Sequence, residues 1–296
     1  MECFEQYQLH EEVATCLAWS NSGRLIASGD RAGKIVIWDV QKREILHVFT
    51  SQFIIRSILW SPNDEVIYFA GSTNAVFFYS ISSETVQKLL ETNLDGIYDL
   101  AFSQGGVLAV SGESVTSLDA KVLIYENYHL VYEYFSHSGA IVSSVSWSNT
   151  GMSILSSGFD DYTIQIWNPF DPPVKFRSYF PGFREVIDAA WSPNAQYIAS
   201  CTNWGPIRLH NGDNGNVLFD TGEFMVAGNA LSWSPDSSRI AIADGNGGSH
   251  IWIVEDNVVM SKDQKDALGT TDIRWSPKGD LIASCNLKGI VNIWSF

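Results

Sequence analysis

Residues 273–284 read IRWSPKGDLIAS, and six earlier stretches repeat that phrase: CLAWSNSGRLIAS (16–28), ILWSPNDEVIYFA (58–70), LAFSQGGVLAVS (100–111), VSWSNTGMSILSS (145–157), AAWSPNAQYIAS (189–200) and LSWSPDSSRIAIA (231–243). Each copy is anchored by an aromatic: Trp19, Trp60, Phe102, Trp147, Trp191, Trp233 and Trp275. The intervals between anchors are 41, 42, 45, 44, 42 and 42 residues, the period of one four-stranded blade of a propeller. A second anchor follows each first one: Trp38, Tyr79, Tyr125, Trp167, His210, Trp252 and Trp294. It comes 19 or 20 residues later, except in the third copy, which needs 23. Around it lie KIVIWDV, TIQIWNP and VNIWSF, β-branched and aromatic with a period of two, as strands are. Turn signals such as Asn21-Ser22-Gly23, Pro62-Asn63-Asp64 and Pro277-Lys278-Gly279 separate them. No stretch sustains a 3.6-residue apolar period. The expectation is an all-β chain, residues 1–296 forming a single seven-bladed β-propeller with four antiparallel strands per blade.

The repeats resemble the WD-repeat (Trp-Asp repeat) family over essentially the whole chain. In that family each repeat supplies three strands of one blade and the outer strand of the blade before. The last repeat here stops just past Trp294, so blade 7 lacks a strand, and the alternating CFEQYQL (residues 3–9) is expected to complete it and close the ring. The family's blade also carries a buried hydrogen-bonded set of His, Ser/Thr, Asp and Trp. The resemblance places it in blade 4, on His137, Ser157, Asp161 and Trp167. At the Asp position other blades have Ala32, Thr73, Trp204, Asn246 and Lys288, and the Trp-Asp pair itself survives only as Trp38-Asp39. Asp161→Ala is therefore expected to destabilise the fold and Asp160→Ala to leave it nearly untouched.

With 45% hydrophobic and 17% charged residues the chain can bury a core. Its apolar runs are far short of the ~20 residues that span a bilayer, and MECFEQYQLH is not a secretory signal. Cys3, Cys16, Cys201 and Cys285 show no CxxC spacing. Together these suggest a cytoplasmic protein, with the nucleus as an alternative. The formal net charge of −15 disfavours nucleic acid and anionic membranes as ligands and favours neutral or basic protein partners. The chain is expected to be a monomer or a subunit of a larger complex.

The sequence carries no recognisable catalytic or metal-binding motif. The six histidines form no HExxH motif and no Cys/His cluster. Asp244-Gly245-Asn246-Gly247-Gly248 runs into a strand and reads as a tight turn rather than a phosphate cradle. Asp99, Asp188 and Asp272 recur three residues before the anchor in blades 3, 5 and 7. They read as acceptors of backbone hydrogen bonds rather than as a cation site. Neither catalysis nor a cofactor is expected. The function expected is a non-catalytic scaffold that binds a peptide or folded partner on the top face and channel mouth. Alternatives are a reader of phosphorylated or methylated peptides and an enzyme working in the channel. Candidate contact residues in top-side loops are Arg31, Phe53, Arg56, Tyr98, Phe159, Phe183, Arg184 and Trp204, types enriched in interface hot spots. A polar insertion in blade 3, residues 113–120, is a second candidate. Trp204 is the one tryptophan of eleven off the anchor pattern. It can be read either as folding inward to fill the space left by His210 or as a partner contact.

Overall fold

A computed structural model describes residues 2–115, 120–135, 137–170, 177–179, 185–221, 227–263 and 269–295, with no side-chain account at 2–4, 177–179 and 261–263. These residues form seven four-stranded antiparallel sheets and no helix. The sheets are the seven blades, ordered inner strand to outer strand as the chain runs, and successive inner strands pack side by side around a central channel. In blade 1 the four strands are Ala14–Trp19, Leu25–Asp30, Lys34–Asp39 and Glu44–Thr50. The outer strand of blade 7 is Glu2–Gln8, which pairs with Ile290–Ser295 from Glu2↔Ser295 to Gln8↔Ile290. Tyr7 of this strand packs on Trp38 of blade 1, ring centroids 4.5 Å apart, so the closing strand also contacts the first blade.

The repeated phrase is explained residue by residue. The serine after each first anchor receives a backbone N–H from across the hairpin turn: Ser20 from Leu25, Ser61 from Val66, Ser103 from Val107, Ser148 from Ser153, Ser192 from Tyr197, Ser234 from Arg239 and Ser276 from Leu281, all at 2.9–3.1 Å. One small hydroxyl satisfies a donor that a tight turn would otherwise leave to solvent. The anchor tryptophans reach backward. The indole N–H of Trp19 donates to the Arg274 carbonyl, that of Trp60 to Ala18, that of Trp147 to Ala101 and that of Trp233 to Ala190, at 3.1–3.2 Å. Each bond crosses from one blade to the one before, and the first spans the seam between blades 7 and 1. The second anchors lie deeper. Trp38, Trp167, Trp252 and Trp294 are fully buried, and truncating such a side chain costs about 3–5 kcal/mol.

The buried set of blade 4 differs in one member from expectation. His137 Nδ1 lies 2.9 Å from Asp161 and its Nε2 2.8 Å from Ser156, whose hydroxyl also receives the Trp167 indole N–H at 3.1 Å. Ser156, not Ser157, is the node. Strand alternation decides it: Ile154, two residues before Ser156, packs in the same core cluster as Trp167, whereas Leu155 and therefore Ser157 face the next blade. Ser157 instead meets the hydroxyls of Ser143 and Ser144. Blade 1 holds a second such set. His10 bonds Asp30 at 2.9 Å and Ser28 at 2.7 Å, with Asp30 two residues ahead of the Ala32 column that the resemblance pointed to.

Candidate functional site at the channel mouth

All seven blades carry a register shift at the same place, near the top of the inner strand. It falls between Ala14 and Cys16, Ile55 and Ser57, Ile97 and Asp99, Val142 and Ser144, Val186 and Asp188, Gly228 and Ala230, and Thr270 and Asp272. A bulge leaves one residue unpaired and re-aims its side chain. Here those residues are Thr15, Arg56, Tyr98, Ser143, Ile187, Asn229 and Thr271. All seven line one polar compartment of about 110 Å³ at the channel mouth.

Four of them tie their blade to the next. Thr15 donates to the Ile55 carbonyl, Ser143 to Val186 at 2.7 Å, Asn229 to Thr270 at 2.7 Å and Thr271 to Ala14 at 2.5 Å. Arg56 and Tyr98 are arranged differently, and Arg56 reaches the next blade through the Glu113 side chain rather than a backbone carbonyl. The Arg56 guanidinium lies over the Tyr98 ring, 4.0 Å from its centroid, and 3.4 Å from the Glu113 carboxylate. Both side chains are half-buried. A cation held between an aromatic face and a carboxylate is pre-ordered, so little freedom is left to lose when a ligand arrives.

Just below, the three aspartates act as inter-blade acceptors. Asp99 accepts from Val145 N at 3.1 Å, Asp188 from Leu231 N at 2.8 Å and Asp272 from Leu17 N at 2.9 Å. At the same repeat position Ser57 takes Leu100 N at 3.3 Å and Ser144 takes Ala189 N at 3.1 Å. Blade 6 has Ala230 there, and the seam it leaves is bridged from the other side by Arg274, which donates to the Leu231 carbonyl at 3.0 Å and pairs with Asp272 at 3.1 Å. Burial pushes the carboxyls of Asp99 and Asp272 up to about 6 and raises that of Asp188. Burial also opposes the Arg274 charge, but Asp272, Asp188 and Asp99 outweigh it and hold the guanidinium more firmly protonated than usual. No cluster of His, Cys, Asp or Glu able to hold a metal occurs among the described residues.

The remaining sequence candidates divide. Arg31 is exposed and Phe159 half-buried in top-side turns. Phe53 belongs to the interior: it packs on Phe69 and Phe77, with centroids 6.1 and 5.3 Å away, in the core between blades 1 and 2. A loop that opens on the core side of its blade buries its aromatic there, whatever its composition suggests. Phe183 and Arg184 lie outside the described residues, as do 116–119 of the blade 3 insertion. Trp204 is 51% exposed, so it does not fill the space beside His210. That space is already taken. His210 is buried and bonds Ser200 at 3.1 Å, standing in for the indole that bonds Ser156 in blade 4. Sequence reading named Arg56 and Tyr98 one by one but not their column. The signal was available: four residues before each anchor the side chain is Thr, Ser or Asn in four blades, with Arg, Tyr and Ile as the departures.

Closed rings of seven such blades, tied by the same repeated residues, define a seven-bladed propeller of the WD type. The family description "WD domain, G-beta repeat" matches residues 1–39, 128–168 and 264–295, which with the fold supports a WD-repeat β-propeller family. It is 24% identical over 297 residues to Actin-interacting protein 1 of Drosophila melanogaster, covering 96% of this chain and 41% of that protein. It is 26% identical over 260 residues to WD repeat-containing protein 1 of Mus musculus, covering 86% of this chain and 36% of that one. Pre-mRNA-processing factor 17 of Homo sapiens is 25% identical over 288 residues, 92% and 48% of the two chains. The chain thus spans less than half the length of these relatives.

Proposed function

We propose that this propeller is a non-catalytic protein-interaction scaffold whose top face and channel mouth receive a peptide or folded partner. The observation that carries the reading is the pair of Arg56 and Tyr98. They occupy bulge positions that elsewhere serve to tie blades together, and they are laid against each other on a rigid floor. Arg and Tyr are among the residue types on which interface energy concentrates. Two of the relatives support the class, one named for interaction with actin and one for pre-mRNA processing. Both names describe work done on or with other macromolecules. The net charge of −15 favours neutral or basic partners.

The test is capture from a native extract on the immobilised full chain, read by mass spectrometry. Arg56→Ala and Tyr98→Ala should each deplete the captured set while melting within a few degrees of the parent. A Met152→Ser control, on the opposite face, should capture the full set. An unchanged set with both mouth variants would remove the mouth from the binding surface.

A further inference from the structure

In five blades the hairpin joining second and third strands on the top face turns through a left-handed residue. Blades 1, 6 and 7 use glycine for it, at Gly33, Gly247 and Gly289, with φ of 84°, 111° and 74°. Blade 4 puts Tyr162 in that place with φ 61°, and blade 5 puts Trp204 one position earlier with φ 59°, although Gly205 stands next to it. Bulky side chains are disfavoured in this conformation because Cβ crowds the following carbonyl. Neither aromatic recovers that strain by burial: Tyr162 is 37% exposed and Trp204 51%. Two strained, exposed aromatics on adjacent blades, where three other blades use glycine, need a reason outside the fold.

Their neighbours are acidic. Asp160 is exposed two residues before Tyr162, and Glu185 is tied to the Trp204 turn through its carbonyl, which accepts the Asn203 N–H at 3.0 Å. The described residues 137–170 and 185–221 hold one cation, Arg208, which faces Asp220 at 3.8 Å. Residues 171–184 add Lys175, Arg177 and Arg184, and residues 137–221 as a whole still carry seven carboxylates against four cations. Aromatic faces beside carboxylates suit lysine and arginine, by cation–π contact and charge together.

We infer that the top rim of blades 4 and 5 is a docking surface for a basic, Lys/Arg-containing segment of a partner protein, with Tyr162 and Trp204 as its aromatic contacts. The inference deepens the scaffold reading and rests on it. The probes are a labelled peptide of alternating lysine, arginine and glycine, and its glutamate counterpart of equal length, titrated against the full chain at low and physiological salt. The double variant Tyr162→Gly/Trp204→Gly should bind the basic peptide at least fivefold more weakly at both salt concentrations. It should melt at or above the parent temperature, because glycine removes the strain. Undiminished binding by the double variant, or preference for the acidic peptide, overturns the inference. If extract capture still depends on Arg56 and Tyr98 while the double variant behaves like the parent, this rim falls and the scaffold reading stands. A double variant that melts well below the parent would show the two aromatics to be structural and would equally overturn it.

Discussion

Replacing His210 with glutamine should flatten the acid limb of the stability curve by about 3 kcal/mol. His210 sits where blades 1, 4, 6 and 7 bury a tryptophan, and only 1% of it is exposed. Its Nε2 faces the Ser200 hydroxyl at 3.1 Å and its Nδ1 the Gly215 carbonyl at 3.4 Å. Burial drives its pKa down to about 4 from the ordinary 6.5, the Gly215 carbonyl opposes that in part, and Arg208 adds a smaller push downward. The sign follows from linkage. A folded-state pKa below the unfolded value means stability that is complete above pH 6.5 and drains away as pH falls toward 4. A gap of about 2.5 units at 1.36 kcal/mol each gives roughly 3 kcal/mol.

Asp99 and Asp272 work in the opposite sense. Their folded values near 6 lie above the unfolded 3.8, so their contribution is complete below 3.8 and is lost as pH rises through 6. A single pH profile of the parent would therefore mix opposing effects. The assay is paired: urea unfolding of parent and His210→Gln at pH 7, 5.5 and 4, reading only the difference. Glutamine keeps a polar group within reach of Ser200 and never titrates. The difference should shift by about 3 kcal/mol toward the variant between pH 7 and pH 4. Parallel curves would refute the burial argument for blade 5.

The sequence reading has Asp161→Ala destabilising and Asp160→Ala silent, but the structure gives Asp160 two backbone donors, Ala140 N at 2.7 Å and Ile141 N at 3.1 Å. Denaturant midpoints should therefore fall for both, by about 1–3 kcal/mol for Asp161→Ala and about 1 kcal/mol for Asp160→Ala; a silent Asp160→Ala would contradict the geometry. Deleting residues 1–9 strips the outer strand from Ile290–Ser295 and uncovers Trp38. The melting temperature should drop sharply, and a truncated chain that melts like the parent would disprove the closure. Trp19→Phe, the residue type that blade 3 carries at this place as Phe102, keeps an aromatic side chain but loses the indole bond to the Arg274 carbonyl across the closing seam. It should cost about 0.5–1.5 kcal/mol in a urea titration, and a variant as stable as the parent would show that bond to be dispensable.

What the sequence made legible and what it hid have one physical origin. Trp19, Ser20 and their counterparts recur because every blade needs the same turn acceptor and a large aromatic at each first anchor, and four of them the same indole bond, so the period and blade number could be counted directly. Counting failed where it assumed unbroken alternation or had to choose between neighbours. Ser156 and Ser157 are chemically identical, and only parity with Ile154 and Trp167 separates them. Asp30 joins a buried histidine set two residues away from the Ala32 column. Phe53 looked like a loop aromatic because burial between blades is a property of the ring and leaves no mark on the four residues of loop between Thr50 and Ile55. The bulge was the largest omission. It reverses which residue faces the channel at the top of every inner strand, and no residue type announces it.

The same reasoning explains why the site candidates are found among exceptions. A repeat column whose residues all do one job is fixed by the fold, as the seven turn serines are. Where a column breaks, either a neighbour takes over the lost bond or the fold goes without it. Ala230 is the first kind, since Arg274 bridges the seam from the next blade. Tyr98, Tyr162 and Trp204 are the second kind, whereas Arg56 exchanges the tie to a backbone carbonyl for one to the Glu113 side chain of the next blade. Tyr162 and Trp204 also carry backbone strain that glycine avoids elsewhere in the ring. Five of the seven seams keep the Asp or Ser acceptor below the mouth, so the rigidity lost at the top is supplied one layer down. That layering leaves the mouth residues of blades 2 and 3, and the turns of blades 4 and 5, able to vary without opening the ring.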